Sequence, residues 1–258
     1  MKLTVLGKSP AWQDAGGACS GYLIEDEQTL VLLECGNGVF AKLRAHAEYD
    51  RVAAVVISHM HADHFLDLVP FSYALTLSPR GRQAREDERP RPLLIAPPGG
   101  RATIRNVVGS WGSESLVESA FELAEYDPDE TVAVGSLRFR FLEVPHFTRT
   151  FAVEVTSASD GGRITHGADC RANDALIEFA RDTDLLMVEA TLDEPDPDPD
   201  AGHMTPAEAG ELGRRAGAAR VVLTHISDEI DSEWALREGS AAFGGSLEIA
   251  QEGAAFTV

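Results

Sequence analysis

The 258-residue sequence predicts an α/β fold in which helices cover the faces of β-sheets. Short apolar and β-branched runs are separated by glycines, a pattern typical of strands. One run, residues 53–57, is continuously apolar, as expected of a strand covered on both faces, and helix signals stand between later runs. Because strands and helices are mixed along the whole chain, we expect sheets flanked by helices.

The first half of the chain predicts a meander followed by a strand, a loop and a helix. Residues 2–6, 22–24 and 29–33 are the short strands of the meander, with glycines between them. The apolar strand at residues 53–57 then leads through a polar turn into a helical pattern over residues 65–77.

The second half predicts further strands and two well-marked helices. Residues 137–141 and 151–155 alternate with period two, which indicates half-buried strands. Asn173 is a predicted N-cap of a helix to residue 181, and Thr205-Pro206-Ala207-Glu208 is a capping box for a helix ending near Gly217. Residues 185–188 and 221–223 read as buried strands, the second being the last strong one, and residues 244–249 as an edge strand.

Composition narrows the classes of function. The chain carries 42 acidic and 22 basic residues, a formal net charge of -20, which disfavours general binding to nucleic acid. No apolar run is long enough to span a membrane, and the first ten residues lack the features of a secretory signal. Three scattered cysteines form no C-x-x-C pair. We therefore expect a single domain over residues 1–258, located in the cytoplasm.

The sharpest chemical signal is His59-Met60-His61-Ala62-Asp63-His64, directly after the apolar strand. Imidazole and carboxylate groups are ligands for divalent metals, and the end of a strand presents them at the edge of a sheet. Two ions are served if His59 and His61 face one while Asp63 and His64 face the other. Completing two coordination shells requires ligands from later strand ends, where the sequence supplies His146, Asp169 and His225.

These residues resemble the metallo-β-lactamase fold, within it the ribonuclease Z-like phosphodiesterase branch, over nearly the whole chain. Glu34-Cys35-Gly36-Asn37-Gly38 is similar to the family's Asp-Cys-Gly-x-Gly turn, with Glu for Asp. The other matching segments, in the family's order, are the motif at residues 59–64, His146 after Pro145, Gly167-Ala168-Asp169, Glu189-Ala190-Thr191, Gly202-His203-Met204-Thr205 and Leu223-Thr224-His225.

The resemblance implies a four-layer αββα sandwich that holds two divalent ions. It assigns His59, His61 and His146 to one metal and Asp63, His64 and His225 to the other, with Asp169 bridging both. Zinc is the expected metal, with manganese or iron as alternatives. Three positions are implied to be catalytic: Asp63, Glu189 and His203.

Glu189 and His203 resemble the family's proton-donating dyad, in which a carboxylate raises the basicity of an imidazole. A structural histidine is the alternative interpretation of His203. With the dyad, we expect a phosphodiesterase that attacks phosphorus with a hydroxide bridging the two ions and releases a 3′ or 5′ monoester. A lactonase or thioesterase on the same fold needs no such dyad and remains a rival, as does a catalytically idle scaffold.

Departures from the family point to a small substrate. Ribonuclease Z carries a long arm between the positions of His146 and Asp169, whereas 22 residues separate them here. With the acidic surface, this favours a cyclic or other small nucleotide over structured RNA, with RNA 3′-processing as the alternative. Val188 and Cys170 replace the family's His and Thr beside the site. The resemblance also suggests a homodimer.

Three further features are interpreted as unrelated to catalysis. The arginine-rich segment from Arg80 to Arg91 reads as a solvated loop, although a lip attracting anionic substrates is the alternative. His46 ends a helical stretch, where a cation suits the helix dipole, and His166 has no evident partner. We expect neither histidine to bind metal.

Overall fold

The computed structural model describes residues 1–83, 90–198, 200 and 202–258. In these residues two seven-stranded sheets pack face to face, and helices cover the outer face of each sheet. The predicted four-layer α/β sandwich is therefore confirmed.

The first sheet joins the N-terminal meander to three parallel neighbours and to the last strand of the chain. Its strands in spatial order are β14 (Ala255–Thr257), β1 (Lys2–Gly7), β2 (Gly21–Asp26), β3 (Thr29–Leu33), β4 (Ala54–Val56), β5 (Leu93–Ala96) and β6 (Glu122–Glu125). From β3 to β6 the pairing is parallel.

The second sheet is built from the second half of the chain. Its strands in spatial order are β13 (Glu248–Ile249), β12 (Val221–Thr224), β11 (Leu185–Glu189), β10 (Arg163–His166), β9 (Thr150–Ser157), β8 (Leu137–Val144) and β7 (Val132–Val134). Strands β10 to β13 are parallel, whereas β9 pairs antiparallel with β8 and β10. The carboxyl ends of β8, β10, β11 and β12 consequently meet at one edge.

The helices form the two outer layers. Over the first sheet lie α1 (Val39–His46), the 3-10 turn Tyr49–Arg51, α2 (Ala62–Phe65), α3 (Leu68–Leu77), α4 (Pro79–Gln83), α5 (Gly100–Gly109) and α6 (Leu116–Ala120). Over the second lie α7 (Asp174–Phe179), α8 (Pro206–Ala216) and α9 (Ser232–Phe243).

Three apolar layers hold the sandwich together. The central one, between the sheets, includes the fully buried rings of Tyr22, Phe139 and Phe151. Phe71 lies in the layer under the helices of the first sheet, and Leu176 lies in the layer under those of the second. Each fully buried side chain of this size contributes roughly 1.5–3 kcal/mol through removal from water. That the chain is a single domain stays a prediction.

The predicted helix ends are confirmed where a side chain makes the cap. Asn173 Oδ1 accepts the Leu176 amide hydrogen at 2.8 Å, and the helix ends at Phe179 rather than at residue 181. Thr205 and Glu208 form the predicted capping box, and Gly217 ends that helix with φ 68°.

Three sequence interpretations of the elements were wrong or incomplete. Strand β9 is buried on both faces rather than half-buried, and its Glu154 is paired there with Arg140. The helix predicted over residues 65–77 begins at Leu68, after the separate short helix α2, because the Asp67 amide donates to the Cys35 carbonyl oxygen at 3.1 Å instead of continuing the helix. Strand β14 follows the strand at residues 221–223 and was missed; only Phe256 is buried in it.

In the part of the chain that the structure describes, no helix has both the length and the apolar character needed to cross a bilayer. The three cysteines are free thiols, and all of them are buried. The cytoplasmic location stays a prediction.

Candidate metal centre

Two groups of histidine and aspartate side chains meet where the segment after β4, in the first sheet, lies against the strand ends at the edge of the second sheet. Within each group the potential ligand atoms lie no more than 4.8 Å from one another, and Asp169 belongs to both. The first group is His59, His61, His146 and Asp169, and the second is Asp63, His64, Asp169 and His225. All seven residues predicted as metal ligands are thus brought together, in the two sets that the family resemblance implied.

The Asp169 carboxylate lies at the centre of the arrangement. Its Oδ2 is 3.2 Å from Nε2 of both His64 and His225 and 3.8 Å from Nε2 of His59. His146 Nε2 lies 4.0 Å from the same oxygen. A single buried oxygen therefore faces four imidazoles, from both groups, as a bridging ligand would.

The imidazoles are held from behind by other parts of the chain. Ser58 Oγ lies 2.9 Å from His59 Nδ1, the Gly202 carbonyl oxygen 2.8 Å from His146 Nδ1, and Thr191 Oγ1 2.8 Å from His225 Nδ1. Such outer contacts fix the orientation of a ring and direct its other nitrogen to a metal. Thr191 and Gly202 belong to two of the matching segments and Ser58 directly precedes the motif at residues 59–64, but no role was predicted for these three residues.

Strained backbone supports the same edge. Of the five non-glycine residues with positive φ in the described ranges, three lie here: Glu34 (62°), Ala168 (54°) and His225 (49°). Such conformations persist where the surrounding structure enforces them, commonly at functional sites. Gly36 is required for close packing, since a Cβ there would lie 1.8 Å from the Asp63 carbonyl oxygen.

Burial and charge favour anionic carboxylates and a neutral His59. Burial raises the pKa of Asp169, but the surrounding histidines, His225 and His64 foremost, outweigh it and hold the pKa well below its usual range. Burial lowers the pKa of His59 well below its usual value. The buried His59 Nε2 has no hydrogen-bond partner among the described residues and lies 3.8 Å from Asp169 Oδ2. This donor set fits a divalent cation.

Glu189 and His203 lie beside the second ligand group. His203 Nδ1 lies 2.9 Å from Glu189 Oε1, and the imidazole of His203 stacks on that of His225 with ring centroids 5.6 Å apart. Burial lowers the pKa of His203, but the hydrogen bond and charge of Glu189 outweigh it, so this pKa is raised. The predicted dyad is therefore formed, and its catalytic role stays a prediction.

The Glu189 carboxylate is itself fixed by the chain. It accepts hydrogen bonds from the Cys170 amide at 2.8 Å and from Thr191 Oγ1 at 2.7 Å. The Cys170 support comes from the backbone, so the replacement of the family's threonine leaves it intact. Val188 packs instead into the apolar layer under the helices.

Neither histidine excluded from the ligand set belongs to the two groups. His46 is exposed at the end of α1. His166 is buried, with Nε2 3.7 Å from Glu34 Oε1 and its ring 5.1 Å from that of Tyr22. Glu34 also lies 3.6 Å from His64 Nδ1, so it links His166 to the metal-ligand side of the site.

The described ends of the arginine-rich segment are engaged in structural contacts. Arg80 pairs with Glu48 and Asp50, and Arg91 donates to the backbone carbonyl oxygens of Glu118 and Phe121. Residues 84–89 of this segment lie outside the described residues, so the interpretation of the whole segment stays a prediction.

Comparison with known proteins agrees with this geometry. Residues 29–226 match the family described as "Beta-lactamase superfamily domain". The chain belongs to this superfamily. A probable metallo-hydrolase, YhfI of Bacillus subtilis, is 29% identical over 253 residues, 98% of each chain. The crystal structure of the YhfI metallo-beta-lactamase fold protein superposes with a TM-score of 0.87 at 25% identity, covering 99% of this chain and 98% of that one.

A ribonuclease Z of Myxococcus xanthus is 28% identical over 310 aligned positions, which cover all of this chain and 97% of the relative. The predicted resemblance to the ribonuclease Z-like branch is thereby confirmed. This chain thus has the fold of the superfamily, with histidine and aspartate groups able to hold metal.

Proposed function

We propose that this protein is a dinuclear metal-dependent phosphodiesterase that acts on a small or cyclic nucleotide. His59, His61, His146 and Asp169 would hold one divalent ion, and Asp63, His64, Asp169 and His225 the other. Zinc suits this mixture of imidazole and carboxylate, with manganese and iron as alternatives. The ions would supply positive charge for the phosphate oxygens and lower the pKa of a water nucleophile.

The observation that carries the phosphodiesterase proposal is the Glu189–His203 pair beside the second ligand group. A phosphodiester expels an alkoxide, a poor leaving group unless it is protonated as the bond breaks. With Nδ1 directed at Glu189, His203 can present a proton on Nε2 to such an oxygen. Hydrolysis of a lactone or thioester depends less on a proton donor such as His203, so the Glu189–His203 pair favours a phosphate ester as the substrate.

Two features support a small substrate over structured RNA. The 22 residues between His146 and Asp169 form strands β9 and β10 with their connections, so this interval contributes to the sheet rather than to a projecting arm. The net charge of -20 further disfavours a polyanion. A ribonuclease Z-type activity is the alternative, since a curated relative bears that name.

The proton-donor role can be tested by varying the leaving group. A His203→Ala variant should lose about 10²- to 10⁴-fold in kcat on cyclic AMP or cyclic GMP, which release an alkoxide. It should lose less than about 10-fold on bis-p-nitrophenyl phosphate, whose nitrophenolate leaves without a proton. His46→Ala, at an exposed histidine outside the site, is the matched control.

Equal losses of His203→Ala on both substrates would refute the proton-donor role. Absence of all phosphodiester cleavage by the zinc- or manganese-loaded wild type, together with lactone or thioester hydrolysis, would refute the proposed function. Cleavage of precursor transfer RNA but of no cyclic nucleotide would favour the ribonuclease alternative.

A further inference from the structure

A small cavity with a volume of about 260 Å³ adjoins the metal centre on the His225 side. It is lined by Trp12, Thr191, Asp193, Ser227, Glu229 and Ile230. Thr191 and Asp193 follow β11, and Ser227, Glu229 and Ile230 follow β12, so the cavity lies at the sheet edge that carries Asp169 and His225. Thr191 Oγ1 contacts His225 Nδ1 at 2.8 Å, on the side of the ring away from the candidate metals, so the imidazole of His225 lies between the cavity and the second ligand group.

The loop that carries Trp12 is fastened to the segment after His225. Lys8 Nζ donates to the Ile226 carbonyl oxygen at 2.9 Å, and the Ile226 amide donates to the Lys8 carbonyl oxygen at 3.0 Å. Farther along the loop, Asp14 Oδ1 accepts the Asp228 amide hydrogen at 3.0 Å and the carboxylate pairs with Lys8. The position of the loop relative to the metal centre is thus fixed from both ends of the Trp12 turn.

Despite this anchoring, the indole of Trp12 is 50% exposed. A large aromatic side chain on a held loop beside a cavity is typical of a binding surface, because a planar ligand can stack on it with little loss of side-chain freedom. Stacking on aromatic side chains is a general means of binding nucleobases.

The polar groups of the cavity are hydrogen-bond acceptors. The carboxylates of Asp193 and Glu229 are exposed, and neither makes a hydrogen bond or an ion pair with any residue in the described ranges. Ionised carboxylates accept hydrogen bonds and repel other acceptors. They suit a base edge with N–H donors, of which guanine offers an adjacent pair, N1–H and N2–H₂. They disfavour uracil, whose N3–H lies between two carbonyl oxygens.

We propose that this cavity is the nucleobase subsite, in which Trp12 stacks on the base and Asp193 and Glu229 accept hydrogen bonds from its N–H donors. The inference rests on the proposed phosphodiesterase function and deepens it by naming the recognised part of the substrate. It assigns guanine the highest preference and uracil the lowest. The phosphate would meanwhile face the histidines, away from the two carboxylates.

Phe147 is the competing platform, since its ring is 66% exposed and lies 5.0 Å from that of His146. Phe147 does not line the cavity, whereas Asp193 and Glu229 line it together with Trp12. The observations therefore favour Trp12.

The decisive experiment measures kcat and KM on cyclic GMP, cyclic UMP and the base-free methyl riboside 3′,5′-cyclic phosphate. Trp12→Ala should raise KM for cyclic GMP about 10-fold or more and leave kcat/KM for the base-free substrate within about 2-fold. Trp111→Ala, at a tryptophan 49% exposed elsewhere on the surface, is the matched control.

The role of the Asp193 and Glu229 carboxylates is tested by measuring which base the enzyme prefers. Asp193→Asn combined with Glu229→Gln should remove most of the preference for cyclic GMP over cyclic UMP, whereas Glu194→Gln, at the neighbouring exposed residue, should leave it unchanged. An unchanged cyclic GMP KM in Trp12→Ala, or a selective loss in Phe147→Ala instead, would overturn the proposal.

Failure of the subsite and failure of the proposed function can be told apart. If the wild type cleaves no phosphodiester, binding is measured alone, by quenching of Trp12 fluorescence with guanosine 3′-monophosphate in a Trp111→Phe/Trp234→Phe background. Saturable quenching that uridine 3′-monophosphate does not produce would support the subsite without the reaction. No quenching would overturn it.

Discussion

Replacing Gly36 with alanine is expected to damage the metal centre without removing a single ligand. The added Cβ would lie 1.8 Å from the Asp63 carbonyl oxygen and 2.7 Å from its carbonyl carbon, whereas real Cβ atoms essentially never come within 3.0 Å of such atoms. One of the two segments must therefore move by about 1 Å. Neither segment is free to do so, because the Gly36 amide donates a hydrogen bond to the Ser20 carbonyl oxygen and the adjacent Cys35 amide donates one to the His64 carbonyl oxygen.

The expected magnitudes follow from this displacement. Overpacking of this kind costs roughly 1–3 kcal/mol in the free energy of unfolding. A shift of about 1 Å in Asp63, a predicted ligand, should lower kcat by about 10²-fold. Urea denaturation measures the first effect, and metal content with phosphodiester turnover measures the second. Gly245→Ala is the matched control, because a Cβ there meets only the Phe243 side chain, at 3.5 Å. A Gly36→Ala protein with wild-type stability and metal content would refute this reasoning.

Four other outcomes are expected. Asp169→Ala should reduce bound metal below two ions per chain and turnover by about 10³-fold or more, as measured by elemental analysis and kinetics; full turnover would remove Asp169 from the centre. Ala168→Gly should raise the free energy of unfolding by up to about 1 kcal/mol, because it relieves the positive φ of 54°; a loss in urea denaturation would contradict this. Chelation should lower the thermal midpoint by several degrees, since an ion at 100 times its Kd contributes about 2.7 kcal/mol; an unchanged midpoint would argue against metal bound to the folded state. We also propose a homodimer, for which light scattering should give twice the mass of the chain, and the mass of a single chain would exclude it.

The grouping of the candidate metal ligands was predicted better than the boundaries of the elements. His146, Asp169 and His225 each follow a strand of the second sheet, and strands that run in the same direction end at one edge. The His59 to His64 motif follows β4 of the first sheet, so its meeting with the other three depends on the packing of the two sheets, which the resemblance implied and strand direction alone did not. The helices with capping side chains, at Asn173 and Thr205, were likewise predicted because a cap is a local interaction.

Long-range contacts are what sequence reasoning missed. The pairing of Glu34 with His166 joins residues more than 100 positions apart, and nothing near His166 in the sequence indicates it. Strand β9 was taken as half-buried because its alternation hides that Glu154 is covered and neutralised by arginines from neighbouring strands. Strand β14 has three residues and pairs with β1, which lies at the opposite end of the chain.

The central claim is most directly tested by an anomalous-scattering crystal structure of the zinc-loaded protein. We expect two peaks, one among His59, His61, His146 and Asp169 and the other among Asp63, His64, Asp169 and His225. Asp169 should contact both. Zinc peaks only at surface sites, with these imidazoles left without metal at saturating zinc, would contradict the account.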